Sequence, residues 1–366
     1  MILFFIALLA VSIWQVKFAS FHEGYIDREQ TGSMKGLFAV IIVFSHSLGY
    51  VTLSSGVIDS SFRFVISSIG QLMVALFFFY SGYGIISSYA KKNGYSKTFL
   101  QKRVAKVLVE FDVAVLLYLV LSFILGHYYH WSNYVFCWIG WKGVGNSNWF
   151  VFVVLLLYLL TFLSFQLSEL VEENNKSLVL TVVVTILSLL VIVCLRFIAE
   201  GSWWYDTILC YPFGMWFAIS KEKFEALIKK SKLMHWIVLI ASALIFVALY
   251  LLARVFNPIS FTYNLCACAF CLFITVVSTK VRINNKILRW LGVHSFAIYI
   301  LQRIPMMILS KFGVVNPYVF EISAIALTMV ISYAFVKAFA TARKKINNSL
   351  AEKRGDNDKT NCKENI

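Results

Sequence analysis

About eleven stretches of this chain are long and apolar enough to cross a lipid bilayer, where a spanning helix takes roughly 20 mostly apolar residues. They fall near 2–16, 36–53, 64–89, 104–126, 148–167, 177–197, 204–220, 235–253, 260–279, 288–309 and 317–336. Composition agrees: 60% of the 366 residues are hydrophobic and 14% charged, against about 25% charged in ordinary soluble domains. A soluble enzyme, a disordered chain and a secreted disulfide scaffold are all excluded. The expected fold is all-α, a polytopic integral membrane bundle of about 10–11 transmembrane helices over residues 1–342. The polar segment 343–366 reads as a disordered cytoplasmic tail.

The net charge of +15 would suggest nucleic acid in a soluble protein. Here it reads as topology. The first run has no basic residue before its apolar core and Lys17 after it, which predicts an uncleaved helix with its N-terminus outside. With that orientation, only Arg63, Lys142, Arg196, Arg254, Arg303 and Lys311 lie in outer loops or outward-running spans. The other 27 of the 33 Lys and Arg residues fall on the cytoplasmic side, as the positive-inside rule requires. The C-terminus is then cytoplasmic, and no nucleic-acid partner is needed.

Ionisable groups inside spans are costly and therefore informative. His46 lies in KGLFAVIIVFSHSLGY, eleven residues after Lys35, roughly 16 Å along a helix. A neutral imidazole at that depth suits a general base or a bond to a neighbouring helix. Arg303, in FAIYILQRIPMMIL, needs an acceptor, a wet cavity or the outer headgroups. Pro305 implies a kink beside it. Lys102, Arg103 and Lys106 precede Glu110 and Asp112 at the start of the fourth span, and an Arg fork there matches phosphate oxygens. Ser81 and Tyr83 add polar atoms to FFFYSGYGIISSY, where Gly82 and Gly84 permit close approach of a helix or a ligand.

The loop HYYHWSNYVFCWIGWKGVGNSNW is rich in aromatic residues. Asn146, Ser147, Asn148 and Trp149 close it, as an interfacial belt with a helix cap or as a sugar-binding surface. Asp206 and Arg196 are placed to pair at the outer end. His127 and His130 have no third ligand, so no metal is expected. Cys266, Cys268 and Cys271 read as small apolar packing residues.

The spacing of Lys35 and His46, followed by LFFFYSGYGIISSY, YSKTFLQKRVAKV, GNSNWFVFVVLLLY and LGVHSFAIYILQRIPM, resembles the membrane acyltransferase-3 family, in family order. Lys35 stands where the family usually has Arg, and Gln302 and Arg303 where many members have His. The nearest flavour is similar to bacterial capsule and exopolysaccharide O-acetyltransferases. The resemblance implies a multi-pass plasma-membrane enzyme that moves an acyl group, commonly acetyl, from cytoplasmic acyl-CoA to a hydroxyl of a cell-surface or lipid-linked polysaccharide. It makes His46 the catalytic histidine and Lys35 the matching basic residue. Lys35, Lys102 and Arg103 would hold the CoA phosphates and Arg303 the oxyanion. Ser81, Tyr83 and Gln302 count with the substrate-binding residues, as do Asn146, Asn148 and Trp149 on the glycan side. Acyl-CoA is then a co-substrate, and no permanently bound cofactor is implied. The competing readings are a polysaccharide or lipid-linked sugar transporter or flippase, and a scaffold subunit.

Overall fold

The computed structural model describes residues 2–92, 94–255, 260–283 and 285–363. Among them run thirteen helices: α1 (Ile2–Ile13), α2 (Arg28–Ser47), α3 (Val57–Tyr89), α4 (Lys106–Leu125), α5 (Trp131–Phe136), α6 (Trp149–Ser168), α7 (Glu173–Ile198), α8 (Cys210–Lys229), α9 (Lys232–Val255), α10 (Ser260–Lys280), α11 (Lys286–Leu301), α12 (Arg303–Lys311) and α13 (Pro317–Lys363). The short strands β1 (Val16–Phe18) and β2 (Val281–Ile283) pair antiparallel.

Every apolar run falls on a helix, and the protein is an all-α membrane bundle. Among the described residues seven helices are long and apolar enough to cross a bilayer, and α11 with α12, bent by 50°, makes an eighth when taken as one broken span. The remaining three runs are α1, α2 and α8. Helix α1 has 12 residues, about 18 Å of rise, short of a hydrocarbon core of about 30 Å. Helices α2 and α8 carry polar ends, REQTGS in one and SKEKFEALIK in the other. Helix α2 lies inside the bundle, with every residue from Phe38 to Phe44 buried, and α8 is buried in its first half. A helix surrounded by protein need not present apolar residues all round, so hydropathy undercounts the bundle's own core.

Two helix pairs set the interior. A Cβ on Gly36 would stand 2.0 Å from the Leu288 carbonyl oxygen, and one on Gly292 would stand 1.9 Å from that of Gly32. Helices α2 and α11 thus touch backbone to backbone. Helices α3 and α8 do the same, with Gly82 against the Tyr211 carbonyl and Gly214 against that of Phe79. Small residues at such crossings gain packing where lipid offers no hydrophobic drive.

One end is tied by polar contacts. Strand β1 pairs with β2 in the register Val16↔Ile283, Lys17↔Arg282 and Phe18↔Val281. Gln30, buried at the start of α2, donates to the Val281 carbonyl and accepts from Ile283 N. Arg282 and Arg289 both reach Glu29. These contacts place the segments after α1 and after α10 at one end of the bundle. From Thr341 to Ile346 the side chains of α13 are exposed, so the helix leaves the bundle there.

Glycine substitutions separate these contacts. Gly36→Ala and Gly214→Ala should each lower stability by about 1–3 kcal/mol or more, because backbone must move. Gly32→Ala meets nothing within 4 Å and should stabilise by about 0.5–1 kcal/mol from helix propensity alone. Thermal melting of the detergent-solubilised protein checks the ordering.

Candidate active site

Helix α2 begins with Asp27 as its cap, accepting from Gln30 N at 2.8 Å, and carries His46 at its far end. The His46 ring packs beside Tyr299 of α11, centroids 6.3 Å apart at 53°. Its Nδ1 lies 3.4 Å from Ser147 Oγ. Gln302 and Arg303 are its other polar neighbours. They occupy the joint where α11 ends and α12 sets off at 50°. Pro305 has no N–H to continue the ladder there, and the Arg303 N–H is taken by the Tyr118 hydroxyl at 3.1 Å. Arg303 also reaches Tyr50, whose ring stacks on Phe320 of α13 at 6.2 Å.

Ser147 arrives on the loop between α5 and α6, which has its own internal bonds. Asn133 donates to the Gly143 carbonyl at 2.7 Å, Asn148 to that of Gly140 at 2.8 Å, and Val144 N to Asn146 Oδ1 at 2.9 Å. Gly145, at φ +91°, leaves room for Met307 and Tyr129, whose nearest atoms would stand about 3 Å from an added Cβ.

Some of the buried polar atoms without hydrogen-bond partners among the described residues lie around this point. They include Tyr299 OH, Gln302 Oε1, Arg303 Nε and Asn146 Nδ2. Both oxygens of Glu321, a fully buried residue of α13 beside Ser47, are also unpartnered. Buried polar groups are normally satisfied, so such a cluster marks a place built to receive one.

Toward the end that carries β1 and β2 lies a cavity of about 530 Å³. Its lining includes five cations, Lys35, Lys102, Arg103, Lys106 and Arg343, and one carboxylate, Glu110. Arg103 sits on a π-helical turn, Leu100–Ala105, that precedes α4. Gly84 faces it across α3, where an added Cβ would lie 3.8 Å from Nη2. Lys35 lies over the Tyr80 ring at 5.7 Å. Ser81 and Tyr158 share a hydrogen bond of 2.7 Å on the cavity wall. A small apolar cavity of about 50 Å³ adjoins it. It shares Phe77, Phe150, Ser295 and Phe296 with the larger one and ends on Tyr299, the neighbour of His46.

The structure therefore brings the expected site residues into two groups. Lys35, Ser81, Lys102 and Arg103 line the basic cavity. His46, Gln302 and Arg303 meet deeper in, with Asn146 near them. Tyr83 lies elsewhere, against Phe217 of α8 at 6.2 Å, and lines neither cavity. Asn148 holds the loop, and Trp149 opens α6 edge-on to Phe150. The residues missed were Ser147 as a partner of His46, Tyr299 and Glu321. Glu321 had a signal, an acid within an apolar run. Ser147 had one as part of the polar loop end, and Tyr299 one in the family-like segment LGVHSFAIYILQRIPM. Lys142 pairs with Glu200 at 2.6 Å. Cys210 and Cys268 pack with sulfurs 3.9 Å apart.

A family model described as an acyltransferase domain matches residues 24–337. The chain belongs to the acyltransferase-3 family. No curated protein and no solved structure matches it. The membrane acyltransferase match leaves out α1 and β1. It takes in every residue of the His46 cluster, and all of the basic cavity except Phe339, Ala340 and Arg343. Acyl transfer within a multi-pass membrane bundle is the activity this family membership gives the chain.

The loop and the α3 face make opposite claims on activity. Asn148→Ala removes one hydrogen bond, worth about 1 kcal/mol, and should loosen Ser147 from His46. Acyl transfer should fall several-fold, with faster proteolysis in the 126–148 loop. Tyr83→Phe should keep transfer within about twofold, because the site does not use that hydroxyl. Assays on membranes with matched expression check both.

Proposed function

We propose that the protein transfers an acetyl group from acetyl-CoA, bound at the basic cavity, to a hydroxyl of a saccharide presented from the opposite face, with His46 as general base. The observation that carries this reading is the adjacency of the two cavities, which share Phe77, Phe150, Ser295 and Phe296 as lining. Five cations against one carboxylate face the wide part, and the narrow part ends beside His46. CoA is a polyanion with three phosphoryl groups on a long flexible arm that ends in a thioester. Lys and Arg at the mouth suit the phosphates, and an apolar slot suits the arm.

Lys35 and His46 are eleven residues apart on one helix, roughly 16 Å. The arm covers that distance while its phosphates stay at the mouth. The His46 imidazole takes the proton of the acceptor hydroxyl as its oxygen attacks the thioester carbonyl. Arg303, beside His46, balances the oxyanion. The carbon–sulfur bond breaks, the thiolate takes the proton back from the imidazolium, and the ester and free CoA result. His46 ends as it began, and no covalent enzyme intermediate is required.

The basic end is assigned to the cytoplasm. Lys35, Lys102, Arg103, Arg282 and Arg289 lie there, in line with the excess of positive charge on cytoplasmic loops. The C-terminus is then inside. The acceptor is assigned to capsule or exopolysaccharide in a bacterial plasma membrane, following the family flavour of the motifs.

Purified protein in liposomes, given radiolabelled acetyl-CoA and acceptor polysaccharide, tests the reading. His46→Ala should lower kcat by about 10²–10⁴-fold, the usual reach of general base catalysis. Lys35→Gln and Arg103→Gln should instead raise KM for acetyl-CoA about tenfold or more, with a smaller effect on kcat. Full acetyl transfer by His46→Ala at wild-type expression would sink the assignment.

A further inference from the structure

A separate polar cavity of about 350 Å³ lies among α3, α9, α10 and the turn before α8. Both Asp206 and Arg254 line it, with Trp203, Tyr250, Tyr263 and Ser68. Asp206 is 8% exposed, and its Oδ1 has no hydrogen-bond partner among the described residues. Arg254 Nη2 donates to Ser68 Oγ and, at 2.7 Å, to the Tyr250 hydroxyl. Its guanidinium carbon lies 5.2 Å from the Tyr250 ring centre and 5.5 Å from that of Phe64. The two opposite charges thus share one cavity and form no ion pair with each other.

A buried carboxylate with an oxygen left unmet is costly unless something meets it, and Arg254, exposed at the cavity's rim, offers the opposite charge to a ligand. Serine and tyrosine hydroxyls steer the Arg254 fork, which matches a phosphate ester. The free Asp206 oxygen beside the aromatic faces of Trp203 and Tyr263 matches an ammonium. Arg254 lies 22 residues beyond Lys232 on α9, about 33 Å, just past a hydrocarbon core of about 30 Å. That is headgroup depth on the face opposite the basic cavity. The surface below it is apolar and lipid-facing, with Phe64 63% and Leu251 59% exposed. Ser45 reaches this cavity from α2, whereas His46, one residue on and about 100° round the helix, faces α11.

We propose that this cavity binds a zwitterionic phosphate–ammonium group, as in a phosphatidylethanolamine headgroup, with the phosphate on Arg254 and the ammonium on Asp206 between Trp203 and Tyr263. The site stands apart from His46 and does not depend on the acyl-transfer reading.

Melting midpoints of the full chain in detergent, titrated with four probes, test it. Dihexanoyl phosphatidylethanolamine should stabilise the protein at about tenfold lower concentration than dihexanoyl phosphatidylglycerol, which keeps the phosphate and lacks the ammonium. Asp206→Asn should abolish that preference, and Arg254→Gln should weaken both lipids. His46→Ala should leave the lipid-induced shifts unchanged. Tail-less glycerophosphoethanolamine separates the sources: a response like that of the lipid assigns the site to the headgroup chemistry alone, a much weaker one to a membrane lipid, and the proposal holds in either case. Equal response to both lipids, a preference that survives Asp206→Asn, or saturation by N-acetylglucosamine with no response to phosphatidylethanolamine would overturn it. Ser67→Ala, on the exposed rim, serves as the folding control.

Discussion

Hydrocarbon offers no hydrogen-bond partners, so each polar group placed between the two ends of this bundle must be met inside the protein. That constraint explains why the architecture closes so tightly around α2. The glycine contacts of α2 with α11, and of α3 with α8, bring backbones together where side chains would hold them apart. Side-chain polarity is then concentrated in a few places. Thr161 and Tyr211 bond to each other at 2.7 Å, and His235 lies 2.7 Å from Thr279 Oγ1. The unpartnered atoms of Tyr299, Gln302, Arg303 and Glu321 are an exception to that rule around His46, one of several among the described residues, which also include Asp206, Ser188 and Thr328.

The break between α11 and α12 is the same exception in the backbone. A bend of 50° inside a bilayer would leave carbonyls exposed to lipid. Here it is enclosed. Tyr118 takes the Arg303 N–H, and the loop carrying Ser147 and Gly145 closes over α12 through Met307. Because the bend lies within protein, it can turn Gln302 and Arg303 toward His46 instead of along the helix surface. Loop, bend and histidine therefore depend on one another, although they come from distant parts of the sequence.

Much of this was legible before any coordinates. Ionisable residues are rare in apolar runs, and His46 and Arg303 stand out for that reason alone. Lys35, Lys102 and Arg103 were legible as a cluster because basic residues sort to one side of the membrane. What sequence could not resolve was direction around a helix. Ser81 and Tyr83 sit in one short motif, but two residues are about 200° of turn. One hydroxyl therefore faces Tyr158 and the cavity, and the other ring faces Phe217. Ser147 was visible only as part of a polar loop end, because its approach to His46 depends on how the loop folds over α12. The polar ends of α2 and α8 hid their place at the centre, since hydropathy reports contact with lipid and these helices contact protein.

The two ends of the proposed reaction path differ in a way that follows from electrostatics. The basic cavity is wide and lined by flexible cations, several of them exposed, where water screens each charge and binding tolerates imprecise geometry. The inner part is narrow, apolar and lined by Phe77, Phe150 and Phe296. Little water screens charge there, so the one cation near His46 acts strongly on whatever charge develops beside it. A polyanionic donor gains from the first environment and a transient oxyanion from the second. Exchanging the two would serve neither, because many unpaired cations in the narrow part would be prohibitively costly to bury, while a single arginine at the wet mouth would hold three phosphates poorly. The gradient from many screened charges to one unscreened charge lets a bundle of apolar helices hold a charged donor at its edge and still keep a dry centre.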